Sequence, residues 1–255
     1  MWPKITVVTP SYNQARFLEA TMRTVHDQRY PNLEHIVIDG GSTDGSVEII
    51  RKYEDRLTYW VSEPDKGQTD ALIKGFAHAT GDIFAWLNAD DLYEVRTLWE
   101  VSSFFTRNPE VQFVYGDALW LNAEGKVLKP KKEIPFSWFI WVYDYNYIPQ
   151  PSAFWRRELY EAVGGLDPHF DLAMDADLWA RFAERTRPVH VRRIWSRMRL
   201  YSEQKNQRLR ARSDHEDQVI RERYLGREPI WSRRLKKPFA RGARIGWKLV
   251  TGCYW

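Results

Sequence analysis

The residues best suited to chemistry in this 255-residue chain stand just after short β-branched runs. Asn88-Ala89-Asp90-Asp91 follows Ile83–Leu87 and sets two hard carboxylate ligands, Asp90 and Asp91, in a sharp polar turn. That arrangement suits Mg²⁺ or Mn²⁺ held jointly with substrate phosphates. An Asx-turn that caps the next helix is the structural alternative. Asp39 closes another run, ahead of Gly40-Gly41, where an acid can accept hydrogen bonds from a base or ribose or begin a helix-start turn. The stretch Gly40-Gly41-Ser42-Thr43-Asp44-Gly45 is neither Gly-x-Gly-x-x-Gly after the first strand nor a P-loop, which disfavours a dehydrogenase or a P-loop kinase.

These turns need strands and helices to position them. Lys4–Thr9, Leu33–Asp39, Leu57–Ser62 and Ile83–Leu87 have the composition of strands. Helical patterns separate them: Asn13–Gln28, a capped stretch from Asp44 to about Tyr53, and Gln68–Thr80. The order β-α-β-α-β-α-β predicts an α/β fold with a mainly parallel sheet and flanking helices, whose ligands sit at the carboxyl ends of the strands. Thr9-Pro10-Ser11, Asp39-Gly40-Gly41, Glu63-Pro64-Asp65 and Asn88-Ala89-Asp90-Asp91 all fall on that edge. Farther along, Phe113–Tyr115 and the region Leu119–Leu128 read as strands with a hairpin turn at Glu124-Gly125. Glu158–Val163 and Asp175–Glu184 read as helices. One domain over 1–225, with halves 1–92 and 93–225, and a basic tail over 226–255 is the economical division.

Composition bounds the function class. The chain is 44% apolar and 28% charged, an ordinary globular balance that excludes disorder and collagen. Its one cysteine, Cys253, excludes an intrachain disulfide and fits a reducing compartment. The start, Met1-Trp2-Pro3-Lys4, lacks the basic and apolar regions of a secretion signal, and no apolar run is long enough for a membrane-spanning helix. A cytoplasmic location is expected, with peripheral attachment to the inner face of the membrane as an extension. The net charge of +4 is unevenly spread. Residues 1–180 hold 17 Lys and Arg against 27 Asp and Glu, a net −10, whereas residues 181–255 hold 21 against 7, a net +14. Such asymmetry points to an anionic partner or to a solvated helical face.

Four blocks in order, Val7-Val8-Thr9-Pro10-Ser11-Tyr12-Asn13, His35 to Ser46, Glu63-Pro64-Asp65-Lys66-Gly67-Gln68 and Trp86 to Asp91, resemble the family 2 glycosyltransferases. A fifth, Met174-Asp175-Ala176-Asp177-Leu178-Trp179-Ala180-Arg181, extends the resemblance over roughly residues 3–205. The resemblance implies a GT-A fold, in which a nucleotide-sugar-binding half is fused to an acceptor-binding half, and inversion at the anomeric carbon. It implies that Thr9, Pro10 and Tyr12 border the nucleobase, that Asp39 holds base or ribose, and that Asp65 and Lys66 lie along the nucleotide. Asn88-Ala89-Asp90 stands at the Asp-x-Asp motif with its first acid replaced, so Asp90, with Asp91 beside it, is left to contact Mg²⁺ or Mn²⁺. Asp175 falls at the acid that serves as general base, with Met174 in place of the usual Glu; Asp177 nearby would raise its pKa by like-charge repulsion. A helix N-cap is the structural alternative for Asp175. Tyr201 stands where the family commonly has His, and Arg199 and Lys205 remain as charge partners for diphosphate.

The aromatic stretch Phe136, Trp138, Phe139, Trp141, Tyr143, Tyr145 and Tyr147 lies on the family's acceptor side, where Gln150 and Trp155 are candidate acceptor contacts. Burial is expected for about half of those rings. Trp231, Leu235 and Phe239 form an i, i+4 stripe among basic residues, the pattern of an interfacial helix on anionic lipid, with Pro238 as a kink. Packing on the chain itself or on a second subunit is the alternative, and no nucleic-acid-binding fold is present. The expected partners are a nucleoside diphosphate sugar, a UDP-sugar first among them, and a saccharide or lipid-linked acceptor, which places the reaction in cell-surface polysaccharide assembly. A nucleotidyltransferase and a catalytically silent relative are the competing functions.

Overall fold

The computed structural model describes residues 2–226 and 228–253. The described residues form one nine-stranded sheet. Strands β1 (Ile5–Ser11), β2 (Leu33–Asp39), β3 (Tyr59–Ser62) and β4 (Ile83–Trp86) alternate with helices α1 (Ala15–His26), α2 (Ser46–Arg51) and α3 (Gln68–Ala77). They pair in parallel in the order β3-β2-β1-β4. The chain therefore moves outward from β1 to β3 and returns to the other side of β1, which creates a topological switch point beside the carboxyl end of β1.

The second half continues the same sheet. It contributes β5 (Leu92–Tyr93), α4 (Thr97–Arg107), β6 (Phe113–Leu121), β7 (Val127–Lys131), α5 (Trp138–Tyr143), β8 (Ala153–Arg156), α6 (Arg157–Ala162), α7 (Met174–Arg185) and β9 (Val189–Arg199). Strand β8 is antiparallel to both β4 and β6, so it joins the halves; β9 runs parallel to β6, and β5 antiparallel to β9. Gly125, at a positive φ of 84°, makes the β6–β7 turn that Glu124-Gly125 predicts. Helices α8 (Lys205–Arg208), α9 (Arg210–Leu225) and α10 (Ile230–Val250) complete the chain. Helix α10 runs through Pro238 and packs on α5.

The largest core lies between the sheet and helices α3 and α7. Trp86 stacks on Trp179 with centroids 5.6 Å apart, and Trp155 meets Trp179 edge-on at 5.3 Å. Trp155 is fully buried and packs among Phe76, Tyr160 and Phe182. The structure thus corrects the expectation that Trp155 contacts an acceptor: its position on β8 faces the core. In the aromatic stretch, Trp141 and Tyr147 are fully buried, while Trp138 and Phe139 are exposed.

Gly75 explains how α3 comes close enough to the sheet to hold Gln68 at its N-terminus. A Cβ there would lie 2.4 Å from Val8 Cγ1 and 3.3 Å from Ile38 Cγ1. Alanine is the better helix former, yet overpacking outweighs propensity at such a contact. Gly75→Ala is therefore expected to destabilise the protein by about 1–3 kcal/mol in urea denaturation; a stabilised variant would show that α3 can move away from β1.

Candidate active site

A cleft of about 1020 Å³ opens at the carboxyl ends of β1, β2 and β4. That volume is at the upper end for a small-molecule site and accommodates a ligand the size of a nucleotide sugar. Pro10 and Tyr12 line it from the β1 turn, Gly40 and Gly41 from the β2 turn, Asp65 and Gln68 from the start of α3, and Asn88, Ala89 and Asp90 from the β4 turn. The opposite wall carries Asp171, Tyr201, Gln204 and Lys205. Arg16 and Arg208 add positive charge to the lining.

Local hydrogen bonding fixes each turn. The Asp39 carboxylate is fully buried and accepts from the Gly41 and Ser42 amides and from the Ser42 and Ser62 hydroxyls, at 2.5–3.2 Å. It does not line the cleft. Three of those donors meet Oδ2 and one meets Oδ1, so Asp39 first serves to shape the turn that carries Gly40 and Gly41 into the cleft. Thr9 is likewise buried, with its hydroxyl 3.0 Å from His35 Nε2. Asp65 and Tyr12 converge over Gly40, where an added Cβ would lie 2.6 Å from Asp65 Oδ2 and 3.2 Å from Tyr12 Cδ2. Asp65 also accepts from the Gly67 amide, and burial raises its pKa. Lys66 is exposed and off the cleft wall.

The β4 turn is held from beneath by α1. The Thr21 hydroxyl lies 2.8 Å from both the Ala89 and Asp91 carbonyl oxygens. Asp90 faces the cleft and accepts from the Tyr201 hydroxyl at 2.9 Å and from Gln204 at 3.4 Å. Burial raises its pKa. Asp91 turns the other way: Oδ1 accepts the Arg199 amide at 3.0 Å, and burial beside the Asp90 charge lifts its pKa well above the carboxylate range. Asp91 therefore anchors β9 and does not line the cleft, which corrects its expected role as a metal contact. Asn88 Oδ1 accepts from Gln68 at 2.7 Å, and its Nδ2 donates to Gln150 Oε1 at 3.2 Å. Gln150 in turn donates to the Trp86 carbonyl at 2.9 Å. Gln150 is thus a buried support for Asn88 and not an acceptor contact.

No cluster of three or more His, Cys, Asp or Glu side chains forms a metal cage among the described residues. Asp90 nevertheless fits a shared ion. It is a buried carboxylate on the cleft wall whose hydrogen bonds come from neutral groups, and a divalent cation can take most of its ligands from phosphate and water.

Asp175 sits in the first turn of α7. Its Oδ2 accepts from Asn146 Nδ2 at 3.1 Å and its Oδ1 from the Ala176 amide at 2.8 Å. Burial, reinforced by the Asp217 charge, pushes its pKa up to about 6. Asp177, the neighbour expected to raise that pKa, is fully buried and paired with Arg181 and Arg223. Asp175 lies outside the cleft lining, whereas Asp171, absent from the expected set, lies within it and pairs with Lys205 at 2.8 Å. Arg199 is buried with its guanidinium over the Phe17 ring and is not on the cleft wall.

The loop before α7 is set by a residue that no local pattern marks. Glu216 on α9 accepts the amides of Asp171, Leu172 and Ala173 through one oxygen, at 2.8–3.1 Å, and Arg212 holds the other. Glu216→Gln keeps the shape but removes the charge. It is expected to cost about 1–2 kcal/mol in denaturant unfolding; no change would mean that the loop holds itself.

The strand order and the switch-point cleft are those of the GT-A fold. Residues 6–162 match the family described as Glycosyl transferase family 2, and the chain belongs to that family. An uncharacterised glycosyltransferase of Mycobacterium tuberculosis is 32% identical over 196 residues, covering 74% of this chain and 72% of the relative. The O-antigen biosynthesis protein RfbC of Myxococcus xanthus is 30% identical over 196 residues, 73% of this chain but 15% of that much longer protein. Among solved structures, Staphylococcus aureus TarS 1–349 in complex with UDP superposes with a TM-score of 0.68 at 15% identity, over 92% of this chain and 69% of that one. The mannosyltransferase PcManGT of Pyrobaculum calidifontis, with GDP-Man and Mn²⁺, gives 0.66 at 20% identity over 100% and 76%.

Proposed function

We propose that the chain is an inverting glycosyltransferase that moves a sugar from a nucleoside diphosphate donor to a hydroxyl of a saccharide or lipid-linked saccharide during cell-surface polysaccharide assembly. The observation that carries this reading is the convergence of Asp90, Asp65, Tyr12 and Lys205 on one cleft. UDP in the TarS structure and GDP-Man in the PcManGT structure support the donor class, and RfbC supports the acceptor setting.

In this reading Tyr12, Gly40 and Asp65 border the nucleoside, and Arg16, Lys205 and Arg208 supply positive charge along the diphosphate. Asp90 would hold Mg²⁺ or Mn²⁺, which, when bound, stabilises the negative charge gathering on the departing phosphate oxygen. The acceptor oxygen forms its bond to the anomeric carbon as the bond to the diphosphate oxygen breaks. Asp175 takes the acceptor hydroxyl proton, and its raised pKa makes it a stronger base than an ordinary carboxylate. Transfer from an α-linked donor should give a β-linked product, read by proton NMR of the new anomeric centre. A retained configuration would overturn the inverting assignment. The silent-relative reading rests on Tyr201, whose hydroxyl occupies Asp90; donor binding by calorimetry, with no nucleoside diphosphate release across an acceptor panel, would favour it.

A further inference from the structure

The basic tail divides into two chemically different faces. Along the inner face, Lys248 pairs with the buried Glu133 at 2.8 Å, Arg244 with Asp144 at 2.5 Å and Lys236 with Glu228 at 2.5 Å. Arg233 donates to the Glu228 and Gly226 carbonyls. These bonds seat α10 on the body, so much of its charge is neutralised within the chain. The outer face is the reverse. Trp231, Leu235, Phe239, Leu249 and Val250 are 52% to 89% exposed, and at about 100° per residue they share one stripe of the 21-residue helix.

At one edge of that stripe stand Arg234 and Arg241, both exposed and without an ion pair or hydrogen bond among the described residues, whereas Lys237 falls on the seated side and lines a groove with Asp217 and Glu222. No acidic residue occurs from 229 to 253. An aqueous role leaves the stripe unexplained, because large rings and aliphatic groups are rarely aligned in water. A nucleic acid would meet the cations and leave the stripe bare. A second copy of the helix would bring two unpaired cations against two like charges. An anionic bilayer answers both features, with acyl chains for the stripe and lipid phosphates for the cations.

We propose that the outer face of α10 lies flat on an anionic lipid surface, with Trp231, Leu235, Phe239, Leu249 and Val250 in the headgroup boundary and Arg234 and Arg241 on lipid phosphates. Helix α10 does not cross the membrane, since no helix among the described residues is long and apolar enough to do so. The inference is independent of which sugar is transferred.

The test is co-sedimentation of the full chain with phosphatidylcholine vesicles with and without phosphatidylglycerol. Two exposed cations predict vesicle affinity higher by roughly 30-fold with the anionic lipid. The triple variant Trp231→Glu, Leu235→Glu, Phe239→Glu should lose binding. The double variant Arg234→Glu, Arg241→Glu should lose the lipid dependence. Both should keep the wild-type melting temperature and donor-induced thermal shift, because these side chains are exposed and remote from the cleft lining; that readout separates failure of docking from failure of the glycosyltransferase reading. Equal pelleting with both vesicles, undiminished binding of the first variant, or a dimer that the first variant makes monomeric without changing vesicle binding would overturn the proposal.

Discussion

Asp175→Asn is expected to lower the turnover number by about 10²–10⁴-fold while leaving the donor-induced thermal shift in place. The amide keeps the side-chain shape and can still accept the Ala176 amide, but it cannot take up a proton at neutral pH. Because the carboxyl titrates at about 6, wild-type turnover should fall on the acid side of that pH as the base becomes protonated, and the residual rate of the variant should lack this limb. Stability moves the opposite way. A carboxyl whose folded pKa is raised binds its proton more tightly folded than unfolded, so its contribution to stability declines as pH rises from about 4 through 6. At neutral pH the variant should therefore escape the cost of the buried charge, offset by the Asn146 amide donor that is left facing its new NH2 group. Nucleoside diphosphate release across pH, beside urea denaturation at pH 7, reads both effects; turnover within a few-fold of the parent would remove Asp175 from the mechanism.

Asp90→Ala is the second large effect, a loss of about 10²–10³-fold in turnover together with the response to added Mn²⁺. The β4 turn has two carboxylates, but only Asp90 faces the cleft. Asp91→Ala should act differently. It leaves the Arg199 amide without its carboxylate partner, so stability falls while the Mn²⁺ response persists. Titrating turnover with Mn²⁺ in the two variants distinguishes them, and an unchanged Mn²⁺ response in Asp90→Ala would sink the assignment.

Much of this architecture is legible in the chain because strand-end turns are local. The runs Ile5–Ser11, Leu33–Asp39 and Ile83–Trp86 carry their own hydrophobic signal, and parallel pairing brings their carboxyl ends to one edge. What is not legible is the direction in which each turn residue points. Asp91 has the right type and place for ligand contact, yet it turns away from the cleft and accepts the Arg199 amide. Trp155 looked available for stacking, but its inward-facing β8 position makes it core. Glu216 is the converse: it sits in a strongly polar helix and acquires its role only when α9 folds across the start of α7, more than forty residues away in sequence. The tail's charge excess was visible at once, whereas its partition into seated and free cations required the partners Glu133 and Asp144.

The Gln68–Asn88–Gln150 chain bears on how this motif could change by descent. Gln150 is oriented by its donation to the Trp86 carbonyl, so the oxygen it turns toward Asn88 needs a donor there. Aspartate at 88 would still accept from Gln68 but would present an oxygen to an oxygen, next to the carboxyls of Asp90 and Asp91. Asn88 and Gln150 are therefore a matched pair, and restoring the acid passes through a worse intermediate unless both positions change together. A relative carrying aspartate at the first position should carry a donor at the second, a covariation that a set of related chains can confirm or refuse.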